Sequence, residues 1–179
     1  MFHVTERLLL RPVWPEDAHA LYAGIADQGV VRNLARAPWP YSLDHARQFV
    51  SLVDETRYPR FLITRPDGNG STLIGCVGLD DSEGGAELGY WIARQHWSRG
   101  YATEAARGAI AIARLLGHER LVAGHFTDNP ASGRVLRKLG FRATGETVMR
   151  HSCGRGEEAT CVLYGLDLAE DAEVSLQAA

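Results

Sequence analysis

The chain has 179 residues, of which 45% are apolar and 23% charged, and its formal net charge is −3. This length suits one domain with its own apolar core, and the composition excludes disordered and fibrous chains. The slight acidity argues against general nucleic-acid binding. No apolar stretch reaches the roughly 18 residues that a membrane span needs, so we expect a protein with no membrane partner.

Cysteine and histidine usage limits the compartment and the chemistry. Three cysteines are too few, and odd in number, for a disulfide framework, which indicates a reducing, cytoplasmic compartment. The N-terminus has no basic segment followed by a long apolar run, so we expect no signal peptide. The seven histidines and three cysteines lack the paired spacing of zinc ligands, and we predict no metal site.

In the first half of the chain, short strands alternate with helices. Residues 4–11 read as a strand, and Pro15 starts a helix that runs to about Ala26, because proline suits the first helical turn. Ser42 is placed to cap a second helix that runs to about Val53. Three further strands are predicted, at residues 61–65, 73–79 and 86–92, with a hairpin turn over 66–71.

The second half is built around a helix from Ala102 to Leu116. One face of this helix carries an apolar stripe of mostly small residues, which lets a helix lie close to a sheet: Ala102, Ala106, Ala109, Ile110, Ala113 and Leu116. Gly117 follows as a left-handed cap. A strand (121–126), a helix (130–139) and two closing strands (141–149 and 159–168) complete an α+β, mostly antiparallel domain over residues 1–170, and residues 171–179 are expected to form a loosely ordered tail.

The segment from Glu87 to Thr103 carries the strongest functional signal. It reads as a strand, a loop rich in Arg, Ser and Gly, and the start of a helix, an order that presents free backbone N–H groups at a helix N-terminus. Gly100 allows close approach of a ligand, and Arg99 adds a planar donor for phosphate oxygens. A plain strand-to-helix turn is the alternative for these residues taken alone.

Glycines interrupt the two strands on either side of this helix. Gly89 and Gly124 suggest a splayed strand pair with unpaired backbone groups, which an extended amide-bearing ligand could use, although each glycine alone also fits a packing role. Downstream, Asn129 and Pro130 form a helix start, which places the Ser132 hydroxyl near the end of the preceding strand.

Four segments together resemble the GNAT superfamily of acyl-CoA-dependent N-acetyltransferases: Gly-Tyr-Trp-Ile (89–92), Arg-Gly-Tyr-Ala-Thr-Glu-Ala (99–105), Asn-x-x-Ser (129–132) and Lys-Leu-Gly-Phe (138–141). The resemblance spans residues 5–168. It implies a mixed, mostly antiparallel sheet of six to seven strands with helices on both faces, and it is compatible with a homodimer. Trp97 departs from the family's Gln or Arg at the first position of the phosphate loop, as in the branch that acetylates ribosomal-protein N-termini.

The resemblance also implies roles for individual residues around acetyl-CoA. The CoA pyrophosphate would be held by Arg99, Gly100, Tyr101, Ala102, Thr103 and Glu104. The backbone of Trp91 and Ile92 would pair with the pantetheine arm, and Asn129 and Ser132 would lie close to its reactive end. Many members have a tyrosine acid seven residues after the Asn; Leu136 stands there, so Ser132 is the predicted donor to the leaving thiolate.

The amine that attacks the thioester must first lose a proton, and a carboxylate acting through water can take it. Glu87 is the first candidate, ahead of His125 and Asp128. The predicted activity is direct acetyl transfer to a primary amine, with a peptide N-terminus favoured. The alternatives are a small-molecule or antibiotic acetyltransferase and a non-catalytic acyl-CoA sensor. Segments 30–41 and 145–160 are expected to shape the acceptor site.

Overall fold

The computed structural model describes residues 1–52, 56–68 and 70–169. The strands of its sheet are β1 (His3–Val4), β2 (Leu9–Arg11), β3 (Arg60–Asp67), β4 (Gly70–Asp80), β5 (Ala86–Ile92), β6 (Arg120–Phe126), β7 (Arg142–Ser152) and β8 (Glu157–Asp167). The α-helices are α1 (Ala18–Ile25), α2 (Gln28–Val31), α3 (Leu43–Ser51), α4 (Tyr101–Leu115) and α5 (Pro130–Lys138), and short 3-10 turns lie at Pro15–Asp17 and Arg94–His96.

The strands form one sheet in the order β1-β2-β3-β4-β5-β6-β8-β7. All neighbours in it are antiparallel except β5 and β6. The connection between these two parallel strands passes through α4, as a parallel pair requires a crossover. The fold is therefore α+β with an open, mixed sheet, as predicted.

Helices cover both faces of the sheet. On one face, α4 and α5 bury a core that includes Ile63, Leu88 and Ala109. On the other face, α1, α2 and α3 pack over a second core that includes Leu21, Leu62 and Cys76. Leu62 and Ile63 belong to different cores because successive strand residues point to opposite faces.

The position of α4 follows from its small residues. Ala106, Ala109 and Ala113 are all at most 1% exposed, and a Cβ on Gly108 would lie 2.8 Å from Leu10 Cδ1. The helix therefore lies close against the sheet and the N-terminal strands. Gly117 ends it with a φ of +77°, so the predicted left-handed cap is confirmed.

Two predictions about the first half are wrong in detail. The strand predicted over residues 4–11 is two strands, β1 and β2, because a turn closed by the Thr5 N–H and the Leu8 carbonyl (2.9 Å) reverses the chain between them. The sheet accordingly has eight strands instead of six or seven. The short helix α2, capped by Asp27, was not predicted, because four residues are too few to show the hydrophobic period of a helix.

The other predicted helices and strands are present within a few residues, including the Ser42 cap, whose Oγ accepts from the His45 N–H. The predicted end of that helix, Val53, lies outside the described residues. The predicted tail at residues 171–179 lies outside the described residues. Within the described part of the chain, no helix has both the length and the apolar character to cross a bilayer.

Candidate active site

A gap opens between β5 and β6 at the centre of the sheet. The two strands pair at Ala86 with Leu121 and at Glu87 with Val122, yet β5 continues to Ile92 and β6 to Phe126. Beyond Glu87 the strands diverge, which is the splayed pair that the sequence predicted. The gap opens toward the N-termini of α4 and α5.

The two glycines of these strands have different roles. A Cβ on Gly89 would meet no atom within 4 Å, so this residue leaves open space beside the sheet. A Cβ on Gly124 would lie 2.7 Å from Cys161 Sγ on the neighbouring strand β8. Gly124 is therefore explained by packing, the alternative that the sequence left open for it.

Every second residue of β5 directs its backbone N–H and carbonyl groups toward the gap. The Ala93 N–H bonds to the Ile74 carbonyl on β4 at 2.8 Å, and successive residues of a strand direct their backbone groups to opposite sides. The backbone groups of Tyr90 and Ile92 consequently face the gap, whereas those of Trp91 face β4. Trp91 instead extends its side chain toward α1, where a Cβ on Gly24 would lie 3.4 Å from the indole.

Trp97 links the loop before α4 to the end of β5. Its indole Nε1–H donates to the Ile92 carbonyl at 2.6 Å. Because that carbonyl is engaged, the N–H group of Ile92 is the one left to bind a ligand. The departure from the family pattern at position 97 thus has a structural role, which the sequence alone did not indicate.

The N-terminus of α4 presents free backbone donors. Gly100 precedes the helix with a φ of +81°, and Ser98 has a φ of 60°; residues other than glycine rarely adopt this conformation. The first intrahelical bond runs from the Glu104 N–H to the Gly100 carbonyl. The N–H groups of Tyr101, Ala102 and Thr103 therefore precede the intrahelical ladder, at the end of the helix that favours anions.

Arginine side chains surround this helix end. A hydrogen bond from Arg65, with the positive charges of Arg7 and Arg99, lowers the pKa of the Tyr101 hydroxyl. The Arg7 guanidinium also lies 4.8 Å from the centroid of the Tyr101 ring. These guanidiniums bring positive charge close to the free N–H groups at the start of α4. Arg65 and Arg7 were missed in the sequence because they come from distant strands and loops.

Glu104 has a supporting position. Its carboxylate accepts from the Thr5 hydroxyl at 2.6 Å and from the Arg7 backbone and side chain at 2.7 Å. Burial opposes ionisation, but these hydrogen bonds and the charge of Arg7 hold the pKa of the carboxyl below its usual value. The Glu104 side chain thus orients the N-terminal loop and Arg7 instead of facing the gap.

Asn129 and Ser132 begin α5 on the other side of the gap. Asn129 caps the helix, with its Oδ1 accepting from the Ser132 N–H at 3.4 Å. The Ser132 hydroxyl lies 2.8 Å from the Tyr90 hydroxyl. Tyr90 was not a candidate in the sequence, since only the fold brings β5 beside the first turn of α5.

Glu87 lies where β5 and β6 separate. Its Oε1 accepts from Arg150 Nη1 at 2.5 Å, an ion pair between β5 and β7. Burial opposes the charge of Arg150, but the hydrogen bond and the charge of Glu87 raise the pKa of the guanidinium. The structure therefore holds a carboxylate at the start of the gap, about a quarter exposed.

The two weaker base candidates are engaged elsewhere. Asp128 accepts two hydrogen bonds from Arg155 and one from Arg32, and the bonds from Arg155 are the main cause of its lowered pKa. His125 donates from Nδ1 to the Phe126 carbonyl and packs against α5, where a Cβ on Gly133 would lie 2.6 Å from its Nε2. The lowered pKa makes the Asp128 carboxylate a weaker proton acceptor.

Leu136 has no place in the site, because it is 1% exposed in the core beneath α5. A cleft of about 720 Å³ lies instead between α2 and the β7–β8 hairpin, and its lining includes residues from both segments predicted to shape the acceptor site, 30–41 and 145–160. Its walls include Trp39, Arg94 and Arg155. Three hydrogen bonds join the hairpin to the segment after α2: Ser152 Oγ to Leu34 O, Cys153 N to Ala35 O and Arg155 Nε to Arg32 O.

Comparisons with known proteins agree with this geometry. A family model described as an acetyltransferase (GNAT) domain matches residues 7–142. A curated relative, the uncharacterized N-acetyltransferase YoaA of Bacillus subtilis (strain 168), is 35% identical over 150 residues, which are 79% of this chain and 82% of YoaA.

Two solved structures share the fold. RimL, a ribosomal-protein alpha-N-acetyltransferase in complex with coenzyme A, has a TM-score of 0.78 at 19% identity, over 93% of this chain and 98% of RimL. MccE, a microcin self-immunity acetyltransferase in complex with acetyl-CoA and AMP, has a TM-score of 0.75 at 18% identity, over 91% of this chain and 93% of MccE.

Proposed function

Because the chain belongs to the GNAT family of acetyl-CoA-dependent acyltransferases, we propose that it transfers acetyl from acetyl-CoA directly to a primary amine, preferably a peptide N-terminal amine. The observation that carries this proposal is the gap between β5 and β6, which lies beside a helix N-terminus with free N–H groups. A thioester at the end of an extended, phosphate-bearing substrate fits that combination.

The phosphate end is assigned to the loop before α4. The N–H groups of Tyr101, Ala102 and Thr103, with the backbone of Arg99 and Gly100, take the pyrophosphate oxygens. Backbone donors at a helix end and nearby guanidiniums both suit a group with several anionic oxygens. Glu104 contributes indirectly, because its ion pair with Arg7 holds that guanidinium in place.

The pantetheine arm is assigned to the gap. Its amides add to the free edge of β5 as a further strand would, with Tyr90 and the Ile92 N–H as backbone partners. In this assignment the backbone of Ile92 pairs with the pantetheine arm, as the sequence predicted. Trp91 contributes its side chain instead, which packs beneath the site. Asn129 and Ser132 then lie near the thioester end.

Transfer needs a neutral amine and a leaving thiolate. Glu87, acting through water, accepts the proton that the ammonium must lose. The amine nitrogen bonds to the acetyl carbon, the carbon–sulfur bond breaks with its electron pair on sulfur, and the nitrogen loses its second proton to solvent as the amide forms. Ser132 donates a hydrogen bond to that sulfur, and solvent supplies the proton that makes the free thiol. Positioning of the two substrates provides most of the rate.

The acceptor enters through the cleft between α2 and the β7–β8 hairpin. RimL, which shares the fold, is a ribosomal-protein alpha-N-acetyltransferase, and an open cleft suits a peptide end. A small-molecule amine is the second candidate, because Trp39, Arg94 and Arg155 line the cleft and can hold an aromatic or anionic group next to an amine.

Acceptor competition tests this choice. Acetyl-CoA consumption is measured with peptides that have free or blocked N-termini, and with small amines that carry or lack an anionic group. The proposal predicts the highest kcat/KM for a free peptide N-terminus and no turnover with the blocked peptide. Faster turnover of an anionic small amine would favour the second candidate.

A further inference from the structure

The hydroxyl groups of Tyr90 and Ser132 form a contact that the proposed chemistry has not yet used. Tyr90 Oη lies 2.8 Å from Ser132 Oγ and 3.4 Å from the Ser132 carbonyl oxygen. Both acceptors within reach of the tyrosine proton therefore belong to Ser132. Among the described residues, Ser132 Oγ has no hydrogen-bond partner other than Tyr90.

The direction of this hydrogen bond decides what Ser132 can do. A serine hydroxyl has one proton to donate and two lone pairs. If Ser132 donated to Tyr90, the serine proton would not be available to a leaving thiolate. If Tyr90 donates to Ser132, the serine proton is free to point at an acceptor in the gap.

We propose that Tyr90 is a positioning residue that donates to Ser132 Oγ and so directs the serine proton toward the departing sulfur. This inference rests on the proposed role of Ser132. Tyr90 itself does not touch the reacting atoms in this assignment. Its hydroxyl reaches Ser132 from β5, on the side of the sheet that faces α5.

The raised pKa of Tyr90 is consistent with a hydroxyl that donates a hydrogen bond without losing its proton. Burial raises the pKa of Tyr90 to about 12, and a hydrogen bond that Ser132 can donate to the ionised form offsets part of the rise. A free thiol has a pKa of about 8.5, so full proton transfer from Tyr90 to the thiolate would be uphill by a factor of about 10³. Tyr90 therefore keeps its proton, and the thiolate takes its proton from solvent.

A double-mutant cycle tests the coupling between the two hydroxyls. The wild type, Tyr90→Phe, Ser132→Ala and the double variant are compared with acetyl-CoA and a peptide with an unblocked N-terminus. We expect Tyr90→Phe to lower kcat by about three- to tenfold, the usual effect of one hydrogen bond, with the acetyl-CoA KM changed less than about twofold. In the Ser132→Ala background, Tyr90→Phe should have no further effect.

Tyr164→Phe is the matched control. It also deletes a tyrosine hydroxyl beside α5, one that accepts from Arg137 Nη1 at 3.2 Å, and it should leave kcat unchanged in both backgrounds. Thermal unfolding of each variant confirms that it is folded before rates are compared.

Each outcome is decisive. An equal loss of kcat on Tyr90→Phe with and without Ser132, or full activity of Tyr90→Phe, would overturn the inference while leaving the role of Ser132 intact. No effect of Ser132→Ala would overturn both. An inactive wild type that still binds acetyl-CoA would instead refute the proposed function.

Discussion

Two carboxylates near the gap, Glu87 and Asp128, are both paired with arginine, but their surroundings differ. Asp128 accepts from Arg32 and Arg155 together, and its pKa is lowered mainly by the bonds from Arg155. Glu87 pairs with one arginine, Arg150, among the residues that the structure describes, and it lies where the strands separate. Glu87 therefore retains an oxygen for a water molecule in the gap.

Replacing Glu87 by glutamine should lower kcat/KM for the amine at least tenfold near neutral pH, because general-base contributions are typically about 10²- to 10⁴-fold. The loss should shrink as the pH rises and more of the amine is already neutral. The measurement is the pH dependence of kcat/KM for the amine. Asp128→Asn is the matched control, and a larger loss there than at Glu87 would reassign the base.

Ser132→Ala should lower kcat about tenfold or more, since a hydrogen bond to a charged group contributes about 1.5–3 kcal/mol. The acetyl-CoA KM should change much less, because the thiolate exists only as the bond breaks. Initial rates at varied acetyl-CoA separate the two constants. A higher KM with normal kcat would make Ser132 a cap or a binding group only.

Local sequence patterns predicted the helix starts at residues 99–104 and at Asn129, because each combines capping residues with a change of hydrophobic period that can be recognised in the chain. Tyr90 and Arg65 could not be found this way. Their contacts join residues about 40 positions apart, and only the fold brings them together.

At the scale of elements, α4 has a left-handed glycine at each end, with a φ of +81° at Gly100 and +77° at Gly117. A side chain in this conformation costs about 1–2 kcal/mol. Gly100→Leu and Gly117→Leu should therefore lower the free energy of unfolding by similar amounts. Only Gly100→Leu should also weaken acetyl-CoA binding, because Gly100 lies at the helix end with free N–H groups.

Calorimetric titration of both variants with acetyl-CoA separates the two effects, and chemical denaturation measures their stability. Equal affinity in the two variants would refute the assignment of the phosphate site to the start of α4. A loss of affinity in Gly117→Leu as well would mean that strain in the helix is the cause.

The sequence predicted α4 and the β5–α4–β6 crossover well, because the alanine stripe and its glycine cap are strong local signals. The N-terminal hairpin was read as one strand, since Leu8, Leu9 and Leu10 form a continuous apolar run that hides the turn before it. Backbone orientation along β5 also depends on its pairing with β4, which a single sequence does not reveal.

At the scale of the whole molecule, buried tyrosines make the free energy of unfolding depend on pH in the alkaline range. Burial is the main cause that raises the pKa of Tyr90 and of Tyr41 to about 12. The unfolded value is about 10, so the stability linked to these groups is fully present below about pH 10 and is lost as the pH rises to about 12.

Tyr90 contributes about 3 kcal/mol to this loss, at about 1.4 kcal/mol for each pKa unit. Chemical denaturation at pH 8, 10 and 11 should show a falling free energy of unfolding, with a shallower decline in Tyr90→Phe. An equally steep decline in that variant would show that Tyr90 ionises like an exposed tyrosine.

In the proposed assignment, the sheet, the two helix N-termini and the cleft together would hold an acyl donor and an amine on either side of one gap. The central claim, direct acetyl transfer to an amine, is tested most directly by measuring thiol release from acetyl-CoA across peptides and small amines, with mass analysis of the product. We expect thiol release only when an acceptor amine is present, and one acetyl group on that amine. Binding of acetyl-CoA without turnover of any amine would contradict it.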